Sequence, residues 1–175
     1  AMGGMPPNEN LDIQNKPHDI ETNKEARKEW KKKAVIAHTE NARMFSKRLL
    51  YAKILWEADK FLKYKTIYFP LQLDFRGRAY CIPAFLNYQS ISGAKALLKF
   101  SQGKEITKEN KGDFWLAVHG ANMWGKDKQS LQDRVKWVKE NEELFLKCAQ
   151  DPFTNRDWED ASSPFQALAW CEEWR

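Results

Sequence analysis

The feature that most constrains the fold is a segment from His18 to Phe69 that contains neither glycine nor proline. Apolar residues recur along it at helical spacing, and Thr22 followed by Glu25 has the pattern of a capping box. We therefore predict one long helix, or two jointed helices, over about residues 23–64. Its polar face carries a set of basic residues: Arg27, Lys28, Lys31, Lys32, Arg43, Lys47 and Arg48.

The formal net charge of +5 is unevenly distributed along the chain. Residues 21–66 have a net charge of +7 and residues 67–128 of +4, whereas residues 151–175 have a net charge of −4. A basic region of this kind favours a polyanionic partner, above all a nucleic acid. A solvated, lysine-rich helix with no such partner explains the same charges.

The composition argues against a disulfide framework, a zinc site and a membrane span. The three cysteines lie far apart and form no CxxC pair, and the three histidines are equally scattered. No apolar run approaches the roughly 20 residues that span a bilayer. We expect no metal site, no membrane partner and a reduced, cytoplasmic setting.

The remaining sequence predicts short strands followed by helices. The strands are expected at Lys65–Phe69 and Ala79–Ile82, with a turn between them. The expected helices are Lys95–Phe100, one that opens at Thr107, one from a Ser130 cap to about Gln150, and Phe165–Trp174 after Pro164. The predicted fold class is mainly α with a small antiparallel β element, an α+β fold. Residues 1–21, with little to bury, are predicted to be a tag and a flexible lead-in.

The turn between the strands reads Asp74-Phe75-Arg76-Gly77-Arg78. Gly77 permits a positive φ, and Arg76 and Arg78, two residues apart, point to one face of an extended chain. Two guanidinium groups on one face suit bidentate contacts to phosphate oxygens. Alternatively, Asp74 pairs with one arginine and both arginines merely close the turn, and the pentapeptide alone does not separate these interpretations.

Several motifs of the wider sequence resemble motifs of a known family and occur in the same order along the chain. "FPLQLDFRGRAYCIP" resembles the FP-x-x-x-D-[FW]-RGR-x-Y segment of single-subunit, bacteriophage-type RNA polymerases. "EARKEWKKKA", "SGAKALLKFSQGKEI", "FWLAVHGANMWGKDK" and "SSPFQALAWCEEW" are similar to further segments of the same family, and HGAN points to its phage branch. The resemblance covers about residues 22–175.

The resemblance implies part of a right-hand polymerase. Residues 22–64 would be a thumb-like helical segment, and residues 65–103 the first palm segment with the DFRGR turn. Residues 104–175 would be a helical palm insertion that stops before the family's catalytic aspartate motifs. We therefore expect neither a catalytic residue nor a metal ligand in this chain, and we interpret the acidic residues between positions 151 and 160 as a solvated loop.

The resemblance also implies which residues meet nucleic acid. Arg76 and Arg78 match family arginines that contact the nucleic-acid backbone, and Tyr80 is expected beside them. Lys95 matches a lysine close to nucleic acid. Asp127 and Lys128 match an Asp-Lys pair near the active-site phosphates. His119, in HGAN, is expected to be a hydrogen-bonded packing residue rather than a base.

The implied parent is a DNA-directed RNA polymerase, a phage nucleotidyltransferase in the cytoplasm of a bacterial host. It would use Mg²⁺, a DNA template and ribonucleoside triphosphates to make an RNA transcript. This fragment alone is expected to be inactive, to bind no Mg²⁺ and to self-associate through an exposed apolar surface. Two alternatives remain: a free-standing nucleic-acid-binding or regulatory domain on a polymerase-derived scaffold, and a basic helical protein that uses only its long helix.

Overall fold

Helices dominate the computed structural model, which describes residues 7–107 and 109–175. The predicted fold class, mainly α with a small antiparallel β element, is confirmed. Residues 1–6 of the predicted lead-in lie outside the described residues. The elements are, in chain order, α1 (Lys24–Phe61), β1 (Leu71–Leu73), β2 (Ala79–Cys81), α2 (Ser92–Ala96), α3 (Gly112–Met123), α4 (Leu131–Glu140), α5 (Glu142–Gln150), a 3₁₀ turn (Asp157–Asp160) and α6 (Pro164–Trp174).

Helix α1 begins one residue later than the capping-box pattern predicts. The Asn23 side chain accepts hydrogen bonds from the amides of Glu25 and Ala26, both at 3.1 Å. The Thr22 hydroxyl instead donates to the carbonyl of Asp19 at 3.2 Å. The prediction of a Thr22 cap is therefore wrong, because asparagine is at least as good a cap as threonine and here stands directly before the helix.

The chain divides into two compact units, one of which ends at Lys53 while the other comprises Ile54–Arg175. In the first unit, residues 7–14 lie along α1. Asn41 holds both backbone groups of Leu11, with its side chain accepting from the amide at 2.7 Å and donating to the carbonyl at 2.9 Å. The Trp30 indole donates to the Gln14 carbonyl at 2.7 Å. This part of the lead-in thus has specific partners that the sequence does not predict.

The core of the second unit is aromatic and centres on Phe145. Its ring centroid lies 4.9 Å from that of Trp170, 5.2 Å from Trp124 and 5.5 Å from Trp137. Large aromatic side chains contribute much of the apolar area that a small core can bury. Helices α3 to α6 share this core, and its buried members are Ala117, Ala121, Val138, Phe145, Cys148, Ala149, Trp170 and Cys171.

The first strand and the first short helix lie at other positions than predicted. Residues 65–69 form no strand, and β1 begins after Pro70. The Ile82 amide still donates to the Pro70 carbonyl at 3.0 Å, but the paired strands do not extend back into residues 65–69. Helix α2 likewise lies about three residues earlier than the Lys95–Phe100 prediction.

The predicted helix from Ser130 to Gln150 is two helices. Its start is confirmed, since the Ser130 side chain accepts from the Asp133 amide at 3.2 Å. Asn141 separates α4 from α5, and its side chain donates to the Trp137 carbonyl at 2.8 Å. A side-chain hydrogen bond of this kind competes with continued helix. The break lets α5 direct Phe145 into the shared core.

We expect Gly120→Ala to destabilise the second unit, because an added Cβ would overlap the ring of Trp170. Overpacking of this kind costs about 1–3 kcal/mol of unfolding free energy. Urea unfolding followed by tryptophan fluorescence measures the difference. The matched control is Gly103→Ala, whose Cβ would meet nothing within 4 Å; equal stability of the two variants would contradict the prediction.

Candidate nucleic-acid interface

The DFRGR turn closes a hairpin of three residue pairs, Leu71 with Cys81, Gln72 with Tyr80 and Leu73 with Ala79. The Asp74 amide donates to the Arg78 carbonyl at 2.9 Å, and the Gly77 amide donates to the Asp74 carbonyl at 3.0 Å. Gly77 has a φ of 76°, in the region that other residues adopt at a cost. The prediction of a positive φ at this glycine is confirmed.

The Asp74 carboxylate organises the turn from inside. One oxygen accepts from the amides of Arg76 and Arg78, at 2.8 and 2.9 Å. The other accepts from Arg76 Nε at 3.2 Å and lies 3.2 Å from Arg76 Nη2. The Arg78 amide above all, and then the amide and guanidinium of Arg76 and the side chain of Tyr80, hold the pKa of Asp74 below its ordinary value.

Arg76 and Arg78 differ in whether a carboxylate is paired with the guanidinium group. Arg76 is paired with Asp74, although its side chain is 52% exposed. Arg78 is exposed, and within the described ranges no carboxylate lies in ion-pair distance of it. Asp74 therefore does pair with one arginine, as the alternative interpretation holds, while Arg78 keeps its guanidinium available to a ligand.

The other predicted site residues lie on three elements. Tyr80 is on β2, partly exposed and two residues after Arg78 on the same strand face. Lys95 is exposed on α2. Asp127 and Lys128 follow α3, and the Lys128 ammonium lies 2.8 Å from the Asp127 carboxylate with its side chain 91% exposed. The structure thus joins Arg76, Arg78 and Tyr80 in one hairpin, and the roles of all six residues stay predictions.

Arg134, which the sequence analysis does not single out, holds the loop that carries Asp127. Its guanidinium donates to the carbonyls of Asp127 and Gln129 at 2.6 and 2.9 Å, and to the Asn122 side chain at 2.9 Å. Gly125, with φ 84°, ends α3, and its Cβ position is occupied by the side chain of Ser162. Arg134 and Gly125 therefore hold the backbone around the Asp-Lys pair, while the Lys128 side chain is exposed and paired only with Asp127 among the described residues.

Comparison with known proteins identifies the family. A sequence profile described as DNA-dependent RNA polymerase matches residues 107–175. The chain is 38% identical to T7 RNA polymerase of Escherichia phage T7 over 170 residues, which is 97% of this chain and 19% of that protein. It is 39% identical to the DNA-directed RNA polymerase of Enterobacteria phage T3 over 173 residues, 99% of this chain and 19% of that protein. The chain belongs to the single-subunit, phage-type RNA polymerases.

A mitochondrial member of the family is also similar to this chain. The mitochondrial DNA-directed RNA polymerase of Neurospora crassa is 36% identical over 145 residues, 82% of this chain and 10% of that protein. The chain thus spans about a fifth of the length of the two phage relatives. The predicted family resemblance is confirmed.

The polymerase segment offers no evident metal centre in the part of the chain that the structure describes. No three His, Cys, Asp or Glu side chains come together there in a group that could hold an ion. In the acidic loop, Glu159 is instead paired with Arg156 at 2.6 Å. No helix in the same ranges is long and apolar enough to cross a membrane.

Two further residues of this polymerase segment differ from expectation. His119 is exposed and makes no hydrogen bond to the described residues, so the expectation of a hydrogen-bonded packing residue is wrong; helix α3 turns its neighbours Val118 and Gly120 inward instead. Gln89, which sequence reasoning missed, hydrogen-bonds to two backbone groups of β2. No local pattern marks Gln89, because its partners lie eight and ten residues earlier in the chain.

We expect Asp74 to titrate below the value of about 3.9 that is ordinary for an aspartate. Because the pKa of Asp74 is lower in the folded chain than in the unfolded chain, the ionised carboxylate stabilises the folded turn at pH values above the unfolded pKa. This contribution is lost as the pH falls through the folded pKa. Carboxyl NMR shifts measure the midpoint, and the amide shifts of Arg76 and Arg78 should follow it. An ordinary midpoint, or turn amides indifferent to it, would contradict the hydrogen-bonded turn.

Proposed function

We propose that this chain supplies a nucleic-acid contact of a DNA-directed RNA polymerase, with the DFRGR turn against the backbone of the DNA template and RNA transcript. The observation that carries the proposal is the Arg78 guanidinium, exposed and without a carboxylate partner among the described residues, on a turn that Asp74 fixes. Family membership supports it, because the phage relatives are named as RNA polymerases.

The chemistry of the turn suits phosphate oxygens. A guanidinium group presents planar donors that match two oxygens of one phosphate. The backbone of Arg78 is already ordered by Asp74, so binding orders only the side chain. Arg76 contributes less in this proposal, because a phosphate must compete with Asp74 for its guanidinium.

The remaining predicted residues extend the contact. Tyr80 would meet the sugar-phosphate backbone beside Arg78. Lys95 would add positive charge from α2, and Lys128 would reach phosphates near the active site while Asp127 orients its ammonium. We also propose the division into a thumb-like segment (22–64), a first palm segment (65–103) and a helical palm insertion (104–175).

The whole polymerase, in this proposal, joins ribonucleoside triphosphates on a DNA template. Mg²⁺ ions would align the attacking and leaving oxygens and neutralise their charge. The described residues do not form a group that fits such ions, so we assign this segment to binding and positioning. A phage enzyme of this kind would work in the cytoplasm of the bacterial host.

We expect Arg78→Ala to weaken binding of an RNA–DNA hybrid by about tenfold, since a charge-assisted hydrogen bond contributes about 1.5–3 kcal/mol. The slope of log affinity against log salt should fall by about 1, as one phosphate contact is lost. Arg76→Ala should have a smaller effect. Fluorescence anisotropy with a labelled hybrid at several low salt concentrations measures both quantities.

The control is Arg156→Ala, which removes an exposed arginine that is paired with a nearby carboxylate, as Arg76 is. It should leave affinity and salt slope unchanged. A Lys31→Ala, Lys32→Ala double variant tests the long basic helix as the sole binding element. If that variant abolished binding while Arg78→Ala left it intact, the proposal for the turn would be wrong.

A further inference from the structure

The outer edge of β2 is covered by a side chain instead of a third strand. Tyr80 pairs with Gln72 in β1, so the backbone groups of Ala79 and Cys81 point away from β1. The Cys81 amide donates to Gln89 Oε1 at 2.7 Å, and Gln89 Nε2 donates to the Ala79 carbonyl at 2.9 Å. The Gln89 amide therefore makes the two hydrogen bonds that a neighbouring peptide group would make.

The backbone of Gln89 is itself held in place. Its amide donates to the Asn87 side chain at 2.8 Å, and Asn87 is buried and donates to the Pro83 carbonyl at 2.7 Å. The amide of Leu86, the residue before Asn87, donates to a Glu57 carboxylate oxygen at 2.9 Å. Within the second unit, the loop of residues 83–91 is thus attached both to the end of α1 and to β2.

We propose that Gln89 is a positioning residue for the nucleic-acid contact. It fixes both peptide groups that flank Tyr80, and so sets the direction in which Tyr80 leaves β2 and holds in place the strand that directly follows Arg78. The inference rests on the proposed function, because it concerns how the arginine turn is presented to a phosphate backbone. A hairpin of three residue pairs needs such support, since an isolated two-stranded hairpin is marginally stable in water.

The two hydrogen bonds require a group that donates and accepts at once. A primary amide does so, whereas an ionised glutamate only accepts and a methionine of similar length does neither. A glutamate at this position would place a carboxylate oxygen against the Ala79 carbonyl. Once protonated, the same glutamate donates to Ala79 and still accepts from Cys81, so the variant Gln89→Glu restores the pair of bonds in acid.

The experiment compares the full chain with Gln89→Met, Gln89→Glu and the control Gln102→Met, whose residue is exposed and makes no hydrogen bond in the described structure. Anisotropy measures the affinity for the hybrid, and NMR measures the exchange rate of the Cys81 amide. Both are expressed as ratios to the unsubstituted chain, at pH values from 7.5 down through the ordinary glutamate pKa of about 4.3. We expect Gln89→Met to bind about fivefold more weakly at every pH, for a net loss near 1 kcal/mol.

The pH profile separates the hydrogen-bonding role of Gln89 from an effect of the changed side-chain shape alone. At neutral pH Gln89→Glu should bind the hybrid at least as weakly as Gln89→Met, because its carboxylate faces the Ala79 carbonyl, and in acid its affinity should return toward the unsubstituted ratio. Cys81 exchange should stay slower than in Gln89→Met, since a carboxylate still accepts from that amide, and Gln102→Met should stay unchanged. If the unsubstituted chain binds no hybrid, the proposed function fails. If it binds but Gln89→Met binds equally well, or Gln89→Glu shows no return in acid, the function survives and the positioning role of Gln89 is overturned.

Discussion

One carboxylate determines how the arginines of this segment are presented. Asp74 accepts from the amides of Arg76 and Arg78 and from the guanidinium of Arg76, while Gly77 takes the backbone through a left-handed conformation. Hydrogen bonds to an ionised acceptor are stronger than those between neutral groups. The turn therefore keeps one shape at the pH of a cell, and the cost of ordering it is met before any nucleic acid arrives.

The fixed shape of the turn would matter little if the β1–β2 hairpin moved relative to the rest of the second unit. The loop after β2 prevents this by linking three parts of the second unit in series. Glu57 on α1 holds Leu86, Asn87 holds Gln89, and Gln89 holds the free edge of β2. Side chains here take over the role that further strands play in a larger sheet, and each of them satisfies backbone groups that would otherwise depend on water.

Local chemistry explains which parts of the fold could be predicted from the sequence. Gly77 and Ser130 act on residues within three positions, and Pro164 acts on its own helical turn, so their roles follow from short patterns. The place of the DFRGR turn between two strands was predictable for the same reason, whereas the pentapeptide left open which arginine pairs with Asp74. The family assignment needed more residues but no structure, because several motifs occur in order.

The wrong predictions concern choices that distant residues decide. Residues 65–69 have the composition of a strand, yet the hydrogen bonds of the hairpin end at Pro70 and Ile82 and leave those residues outside the sheet. The break at Asn141 lets α5 place Phe145 against Trp170, a partner that no short pattern around Asn141 indicates. Gln89 is polar and unremarkable in its own neighbourhood, and only the path of the loop brings its amide to β2.

The aromatic core has a consequence for the order in which this segment acquires its structure during synthesis. Trp170 packs on Phe145 and donates to the Leu116 carbonyl, 54 residues earlier in the chain. A nascent chain of which only α3, α4 and α5 have left the ribosome lacks Trp170, the α6 residue that packs on Phe145. The core that helices α3 to α6 share therefore cannot be completed before α6 has emerged, and until then its aromatic residues present apolar surface of the kind that chaperones bind.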